Sequence, residues 1–181
     1  MSVCVSPKLK SLHELDLTGC SEFEDFPEIL EPIGHLNILS LKGTAIKELP
    51  SSIECLFGLM TIELTNCKRL AHLPPTICKL KSLPELDLTG CSEFEDFPEI
   101  LEPMKDMKFL SLKGTAVKEL LSSIECLFGL IKIELKNCKK FTSLPTSICK
   151  LESLTLDLSG CYEFEDFPEI LEPMKDMKIF H

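Results

Sequence analysis

The side chains that could carry out chemistry in this chain are scattered rather than gathered into a motif. The four histidines, His13, His35, His72 and His181, lie in different segments with no acid or nucleophile at a fixed spacing. A solvated or structurally satisfied histidine is therefore a better interpretation than a general base. The sequence has no Gly-x-x-x-x-Gly-Lys-(Ser/Thr) loop, no Gly-x-Ser-x-Gly and no His-Glu-x-x-His. We therefore assign no catalytic residue and expect no bound cofactor.

The ten cysteines follow a repeat and not a metal-binding pattern. No Cys-x-x-Cys pair occurs, and no cysteine has zinc-finger spacing from a histidine, so we expect no metal site. Cys67 and Cys91, and likewise Cys138 and Cys161, fall at matching places in neighbouring repeats, which leaves a disulfide as an alternative. Parallel side-chain directions and a reducing cytosol favour buried thiols that pack in turns. Cys20 occupies the same place in the first repeat.

Clustered carboxylates occur in three copies of an acidic segment, Glu-Phe-Glu-Asp-Phe-Pro-Glu-Ile-Leu-Glu-Pro, which begin at residues 22, 93 and 163. The glutamates could pair as acid and base, but we prefer a solvated acidic surface because nothing in the segment would perturb them. The copies arise from duplication, since residues 11–81 and 82–152 align without gaps and agree at 52 of 71 positions. We therefore give their recurrence no functional weight.

A leucine frame organises the whole chain. The pattern Leu-x-x-Leu-x-Leu-x-x-(Cys/Thr) recurs every 23 or 24 residues. It starts at Leu12, Leu36, Leu59, Leu83, Met107 and Leu130, and in incomplete form at Leu154 and Met177. This periodicity predicts an α/β leucine-rich-repeat solenoid over residues 1–181, with about eight coils. Short parallel strands are expected on the concave face, and helical, 3₁₀ or irregular segments on the convex face.

Two local departures from the frame carry their own expectations. Leu121 replaces the proline that begins the outer segment of other coils, which should cost little. The stretch from Leu154 to Leu158 has lost one residue of the frame. A one-residue slip moves side chains to the opposite face of a strand, so we expect a bulge or kink there.

Composition excludes several functional classes. Hydrophobic residues make up 44% and charged residues 27% of 181 residues, which favours one packed domain. The formal net charge of -10 argues against nucleic-acid binding, which needs a basic surface. No apolar run approaches the roughly 18 residues of a membrane span, and no signal peptide precedes the first repeat. We therefore expect no nucleic-acid or membrane partner and a cytoplasmic location, with the nucleus as the alternative.

Outward-facing strand residues form the candidate site for a protein partner. Period-2 alternation places the leucines of each frame inward and the residues beside them outward. The predicted partner-binding residues are Glu14, Asp16, Ile38, Ser40, Thr61, Glu63, Glu85, Asp87, Phe109, Ser111, Lys132 and Glu134. Asp157 extends the acidic column, and Lys42, Lys113 and Lys136 offset only part of its charge, so a cationic ligand would relieve the repulsion. Isolated exposed apolar residues such as Ile38 and Phe109 are also common without any partner.

The wording of the repeats is more specific than the leucine frame. The strings Leu-Asp-Leu-(Thr/Ser)-Gly-Cys, Phe-Pro-Glu-Ile-Leu-Glu, Gly-Thr-Ala-Ile-Lys-Glu-Leu-Pro-Ser-Ser-Ile and Asn-Cys-Lys occur in order. They closely resemble the repeats of plant TIR-type nucleotide-binding leucine-rich-repeat (TIR-NBS-LRR) disease resistance proteins. The resemblance implies an innate-immunity receptor region that recognises pathogen effectors or altered host proteins. It also implies contact with the receptor's own nucleotide-binding domain, which holds the switch inactive. The TIR and nucleotide-binding domains have no counterpart in these 181 residues.

Three functional hypotheses follow. The leading one is a non-catalytic protein-recognition module of a plant immune receptor that binds a partner on its concave face. The alternative is a truncated or duplicated gene product that is only a structural repeat fragment. An enzyme or a ubiquitin-ligase adaptor is least favoured, because no catalytic or docking motif supports it.

Overall fold

The strands form one parallel ribbon in the order of the sequence. We describe a computed structural model, which covers residues 11–165, 167–169 and 177–181. Within that range eight three-residue strands pair as β1-β2-β3-β4-β5-β6-β7-β8. They are β1 (Glu14–Asp16), β2 (Ile38–Ser40), β3 (Thr61–Glu63), β4 (Glu85–Asp87), β5 (Phe109–Ser111), β6 (Lys132–Glu134), β7 (Thr155–Asp157) and β8 (Lys178–Phe180). The predicted solenoid is confirmed.

The inward side of the ribbon is a continuous hydrophobic core. The central residue of each strand stacks on the central residue of the next, as Leu39 does between Leu15 and Ile62. Leu39 and Leu110 are fully buried. Each buried leucine contributes roughly 1.5–3 kcal/mol only when a neighbouring coil covers it. Stacking of coils therefore stabilises the fold and fixes which side of every strand faces outward.

The turn after each strand requires the left-handed backbone region. Gly43 has φ 69°, and Asn66 has φ 60° at the corresponding place of the next coil. Glycine has no Cβ to clash in this region, and asparagine tolerates it. The turn therefore favours glycine or asparagine at this position.

Buried thiols satisfy the carbonyl groups at these turns. The Sγ of Cys67 donates to the carbonyl of Leu41 at 3.0 Å, and the Sγ of Cys91 donates to the carbonyl of Leu64 at 3.0 Å. The adjacent Cys67 and burial together raise the pKa of Cys91 above its ordinary value, which keeps that thiol protonated. All nine described cysteines are free, as preferred from the sequence. The expected burial is wrong for Cys20, because among the described residues no coil covers its outer side.

The convex side carries one-turn 3₁₀ helices. They are η1 (Ser51–Cys55), η2 (Pro75–Lys79), η3 (Ser122–Cys126) and η4 (Thr146–Lys150). Three of them begin after a proline, whose fixed φ suits the extended residue before the helix. Leu121 adopts the same conformation before η3, with φ -75° and ψ 157°, so its replacement of proline preserves the coil. No described helix is long and apolar enough to cross a membrane.

The residue lost after Leu154 distorts the connection and not the strand. β7 pairs with β6 residue by residue, with Thr155 opposite Lys132 and Asp157 opposite Glu134. Ser153, just before Leu154, adopts φ 57°, an uncommon conformation for a residue with a Cβ. This unusual backbone conformation lies one residue before the stretch in which we expected a bulge or kink. The side chains of β7 keep the alternation of the other strands, because the strand remains in register with β6.

Candidate recognition surface

Strand register gathers the predicted partner-binding residues into two straight columns. The first column runs through the first residue of each strand and the second through the third residue. Neighbouring strands of a sheet lie about 4.8 Å apart, so successive members of a column are adjacent. The first column contains Glu14, Ile38, Thr61, Glu85, Phe109 and Lys132, and the second contains Asp16, Ser40, Glu63, Asp87, Ser111 and Glu134.

Two of these residues lie below the accessible surface. Ser40 is 4% exposed and Ser111 is 1% exposed. The hydroxyl of Ser40 donates to Oε2 of Glu63 at 2.5 Å and lies 2.7 Å from the hydroxyl of Thr18. Both serines therefore hold neighbouring side chains in place and are corrected here from contact residues to supporting residues.

The carboxylates on β1, β3 and β4 have no cationic partner in the described part of the chain. No described lysine or arginine forms an ion pair with Glu14, Asp16, Glu63, Glu85 or Asp87. Hydrogen bonds from Thr18 lower the pKa of Asp16, so this carboxylate remains ionised. Asp87 accepts the matching hydrogen bond from the amide of Thr89 at 2.8 Å. Adjacent like charges across strands are destabilising, and this stretch is left with uncompensated negative charge.

The same columns are neutralised within the protein at β5 and β6. The Nζ of Lys132 lies 2.5 Å from Oε1 of Glu134 and 5.6 Å from the centre of the Phe109 ring. The equivalent pair one duplication earlier is Thr61 and Glu63, which lacks the cation. The concave face is therefore acidic over β1–β4 and internally compensated at β5–β6.

Sequence reasoning missed exposed apolar residues at the edge where each strand begins. Phe57 and Met60 lie in the connection before β3, and Phe128 and Ile131 lie in the connection before β6. Each is more than half exposed. The sequence does contain a signal for them, because apolar residues occupy variable positions of the frame just before the strand. The next coil does not need to bury a residue at such a position.

One glutamate in each of two convex acidic segments forms ion pairs with later coils. Glu24 lies 2.6 Å from Lys47 and 2.6 Å from Arg69, and Glu95 lies 3.2 Å from Lys118. Hydrogen bonds and charge from these cations lower the pKa of Glu24 and of Glu95. A carboxyl with a lowered pKa is a poor general acid. The segment is a salt-bridged surface and supplies no acid and base pair.

No other arrangement suggests chemistry. Among the residues that the structure describes, no three histidine, cysteine or acidic side chains gather at metal-binding distance. A small cleft beside β1 is lined by apolar side chains, among them Leu15, Phe26, Ile29 and Leu36. It has no convergent polar groups, which ligand sites normally use to orient a substrate.

An open parallel ribbon with charged columns on its accessible face defines a leucine-rich-repeat protein-interaction module. The model of the family "Disease resistance protein RPS4B-like, leucine-rich repeats" matches residues 8–92 and 79–161 in two overlapping stretches. The chain therefore belongs to the leucine-rich-repeat regions of RPS4B-like disease resistance proteins, which confirms the resemblance noted in its sequence.

Curated relatives come from Arabidopsis thaliana. The chain is 43% identical over 162 residues to "Probable disease resistance protein At4g19520", covering 86% of this chain and 9% of that protein. It is 37% identical over 182 residues to "Protein SUPPRESSOR OF npr1-1, CONSTITUTIVE 1", covering 90% of this chain and 12% of that protein. The chain thus spans about a tenth of the length of these relatives.

A solved structure supports the fold. The leucine-rich-repeat domain of the type III effector XCV3220 (XopL) superposes with a TM-score of 0.62 over 87% of this chain and 71% of that chain. The sequence identity of 22% limits this likeness to the fold.

Proposed function

We propose that this chain is the non-catalytic recognition region of a plant intracellular immune receptor, acting in the cytoplasm or nucleus. Its partner is a pathogen effector or a host protein that an effector has modified. The observation that carries the proposal is the column of carboxylates over β1–β4, which form no ion pair with a described lysine or arginine. The chain that carries this column belongs to a family of disease resistance proteins. Removing an unpaired charge from water into an interface is costly. A partner that brings the opposite charge is therefore favoured over one that does not.

Autoinhibition is the second part of the proposal. In a full-length receptor, the same face or its edge contacts the nucleotide-binding domain until the partner arrives. The supporting observation is the length of the relatives, because the match covers only 9% and 12% of two of them. The remainder of such a protein is long enough to contain a nucleotide-binding domain. Competition between two ligands for one face requires no conformational change in the repeat domain.

A matched pair of charge reversals tests recognition. The purified chain is immobilised and plant proteins are captured from extracts of infected and healthy leaves, then quantified by mass spectrometry. The test variant carries Glu85→Lys and Asp87→Lys on the concave face, and the control carries Glu93→Lys and Glu99→Lys on the exposed acidic segment. We expect a set of proteins that the wild type and the control both retain and that the test variant loses.

The opposite result is equally clear. Equal capture by all three chains, or equal loss by both variants, contradicts recognition through the concave face. Circular dichroism of each variant checks that the fold is intact, because charge reversal at exposed positions should leave it unchanged.

Autoinhibition is tested in a complete receptor. Charge reversals at the positions matching Glu85 and Asp87 are introduced into full-length At4g19520 and the variant is expressed in leaves. We expect cell death without a pathogen if this face contacts the nucleotide-binding domain. Silent variants that accumulate to wild-type level contradict autoinhibition and leave recognition to the capture experiment.

The alternative of a structural fragment without activity rested in part on the residue missing after Leu154. β7 keeps its register with β6, so this loss does not disrupt the sheet. A purified chain that melts cooperatively by circular dichroism would count further against that alternative.

A further inference from the structure

A patch of exposed and half-buried aromatic, aliphatic and lysine side chains lies where β5 and β6 begin. We call it the lysine–aromatic patch. Its members are Lys105, Lys108, Phe109, Phe128, Ile131 and Lys132. Phe128 is 56% exposed and Ile131 is 55% exposed, whereas the core leucines beside them are fully covered. Exposed apolar residues rimmed by charge are typical of protein interaction sites.

Backbone and side-chain contacts show that the patch is one continuous surface. The amides of Ile131 and Lys132 both donate to the carbonyl of Lys108, at 2.9 and 3.2 Å. The Nζ of Lys108 donates to the carbonyl of Lys105 at 3.1 Å. Gly129, next to Phe128, packs so closely on the same carbonyl that an added Cβ would lie 2.1 Å from it. The Phe128 turn and the lysines therefore share one local scaffold.

The duplication provides an internal comparison for this patch. The equivalent residues of the first three coils are Gly34, Asn37, Ile38, Phe57, Met60 and Thr61. The apolar members are kept in character, but none of the three lysines has a basic counterpart, so the second copy gains three lysines here, against one added carboxylate where Asp106 replaces His35. The first copy shows that the coil folds without these lysines. Their presence is therefore not a requirement of the core.

Two of the three lysines are not neutralised by the described protein. No described carboxylate forms an ion pair with Lys105 or Lys108, while Lys132 pairs with Glu134. The chain as a whole has a formal net charge of -10. A small basic and aromatic area on a strongly acidic protein favours an acidic partner. The acidic part of that partner must be short, because a longer polyanion would meet Glu85 and Asp87 on the adjoining strand β4.

We propose that the lysine–aromatic patch binds a short acidic segment of a partner protein. The segment carries an aromatic or aliphatic side chain beside two or three carboxylates. Its apolar side chain packs between Phe109, Phe128 and Ile131, and its carboxylates accept hydrogen bonds from Lys105 and Lys108. The inference rests on the proposed recognition function and supplies the chemistry of one partner segment, since aromatic anchors dominate interface energies and rim charges set selectivity.

Reversion to the first copy's residues tests the patch without inventing new packing. The probe is the fluorescent peptide Glu-Asp-Leu-Phe-Glu-Asp, and binding to the full chain is followed by fluorescence anisotropy. The test variant carries Lys105→Gly, Lys108→Asn and Lys132→Thr. The control loses the same charge at Lys68→Asn, Lys139→Asn and Lys150→Thr on other surfaces. We expect about tenfold weaker binding for the test variant, as for the loss of two partly exposed ion pairs at Lys105 and Lys108, and little change for the control.

A gain of binding in the first copy is the complementary test. Asn37→Lys with Thr61→Lys places two lysines beside Phe57 and Met60, so the number of peptides bound per chain should rise from one to two. Absence of saturable binding of the acidic peptide, or equal weakening by the test and control variants, overturns the proposal. Equal binding of Lys-Arg-Leu-Phe-Lys-Arg also overturns it.

Other anionic ligands are distinguished in the same assay. If phosphatidylserine vesicles or single-stranded polyuridine bind with the same dependence on the three lysines, the patch is a general anion site and the proposal for a protein segment fails. We expect neither to bind, because the surrounding carboxylates repel extended negative surfaces.

The capture experiment separates failure of this inference from failure of the proposed function. If the three-lysine variant retains every captured protein while Glu85→Lys with Asp87→Lys loses them, recognition stands and the patch plays no part in it. If both variants retain every protein, both proposals fail. Selective loss of some proteins by the three-lysine variant supports the patch only together with weakened binding of the acidic peptide, because the captured proteins are unidentified.

Discussion

Replacing Gly90 by alanine tests how the turns of successive coils fit together. Gly90 has φ 79°, a conformation that disfavours residues with a Cβ, and an added Cβ would lie 2.4 Å from Oδ1 of Asn66 in the preceding coil. Gly43 provides a matched control. It has φ 69° in the same kind of turn, but an added Cβ would meet nothing within 4 Å.

The structure gives a different magnitude for each substitution. Gly43→Ala bears only the left-handed backbone penalty, about 1–2 kcal/mol in the free energy of unfolding. Gly90→Ala bears that penalty and must also displace the Asn66 amide, which adds about 1–3 kcal/mol as an overpacking cost. The total loss at Gly90 is therefore about 2–5 kcal/mol. Shortening Asn66 to glycine in the Gly90→Ala background should recover the steric part.

Urea unfolding followed by circular dichroism measures these differences in the full chain. The dependence of the free energy on urea must stay unchanged for the comparison to hold, because a changed slope indicates a different unfolded or native state. Equal losses for Gly43→Ala and Gly90→Ala, or no recovery on removing the Asn66 side chain, refute the inferred contact between turns. Gly160, whose added Cβ would lie 2.4 Å from Oδ1 of Asn137, should repeat the behaviour of Gly90.

Three further perturbations have outcomes that the structure fixes in direction. Phe141→Ala removes a fully buried ring and should lower the free energy of unfolding by about 3–5 kcal/mol. Phe128→Ala removes an exposed ring and should change this free energy by about 0.5 kcal/mol or less. Urea unfolding compares the two variants. Pro84→His should restore a backbone donor before β4, which pairs with β3 at one position only, and hydrogen exchange of the Glu85 amide should slow. Lys47 and Arg69 of later coils lower the pKa of Glu24. The stabilising contribution of Glu24 is therefore present at pH values above its ordinary pKa of 4.5 and is lost as the pH falls through the lowered pKa. Glu24→Gln should flatten the acid side of a plot of melting temperature against pH. Unchanged exchange at Glu85 or an unchanged acid profile contradicts the last two.

The fold was predictable from the sequence because burial and register have the same cause. A leucine at every second strand position must face the core, and a one-residue slip would expose it. The observed pairing of Leu39 with Leu15 and Ile62 follows directly. The replacement of proline by Leu121 was predictable for a similar reason, because the extended conformation required there is open to most residues.

Features that depend on neighbouring side chains were not predictable from the frame. Ser40 occupies an outward strand position and is still buried, because Thr18 in the turn after β1 and Glu63 on β3 close over it with hydrogen bonds. The missing residue near Leu154 was absorbed by one positive φ at Ser153, a choice that periodicity alone cannot indicate. Alternation gives the direction of a side chain but not the size of the side chains beside it.

The two copies of three coils separate what the fold requires from what it permits. The inward strand residues Leu39 and Leu110 are identical in the two copies, and both are fully buried. The first residue of the following strand, which faces outward, differs between the copies. It is Thr61 in β3 and Lys132 in β6, although both strands keep the same register. Substitution on the outward side therefore changes charge and shape without disturbing the stacked core, since exposed positions contribute little to stability. A solenoid of this kind can acquire new binding chemistry by duplicating coils and altering only that side, so we expect the differences between copies to locate recognition better than their similarities.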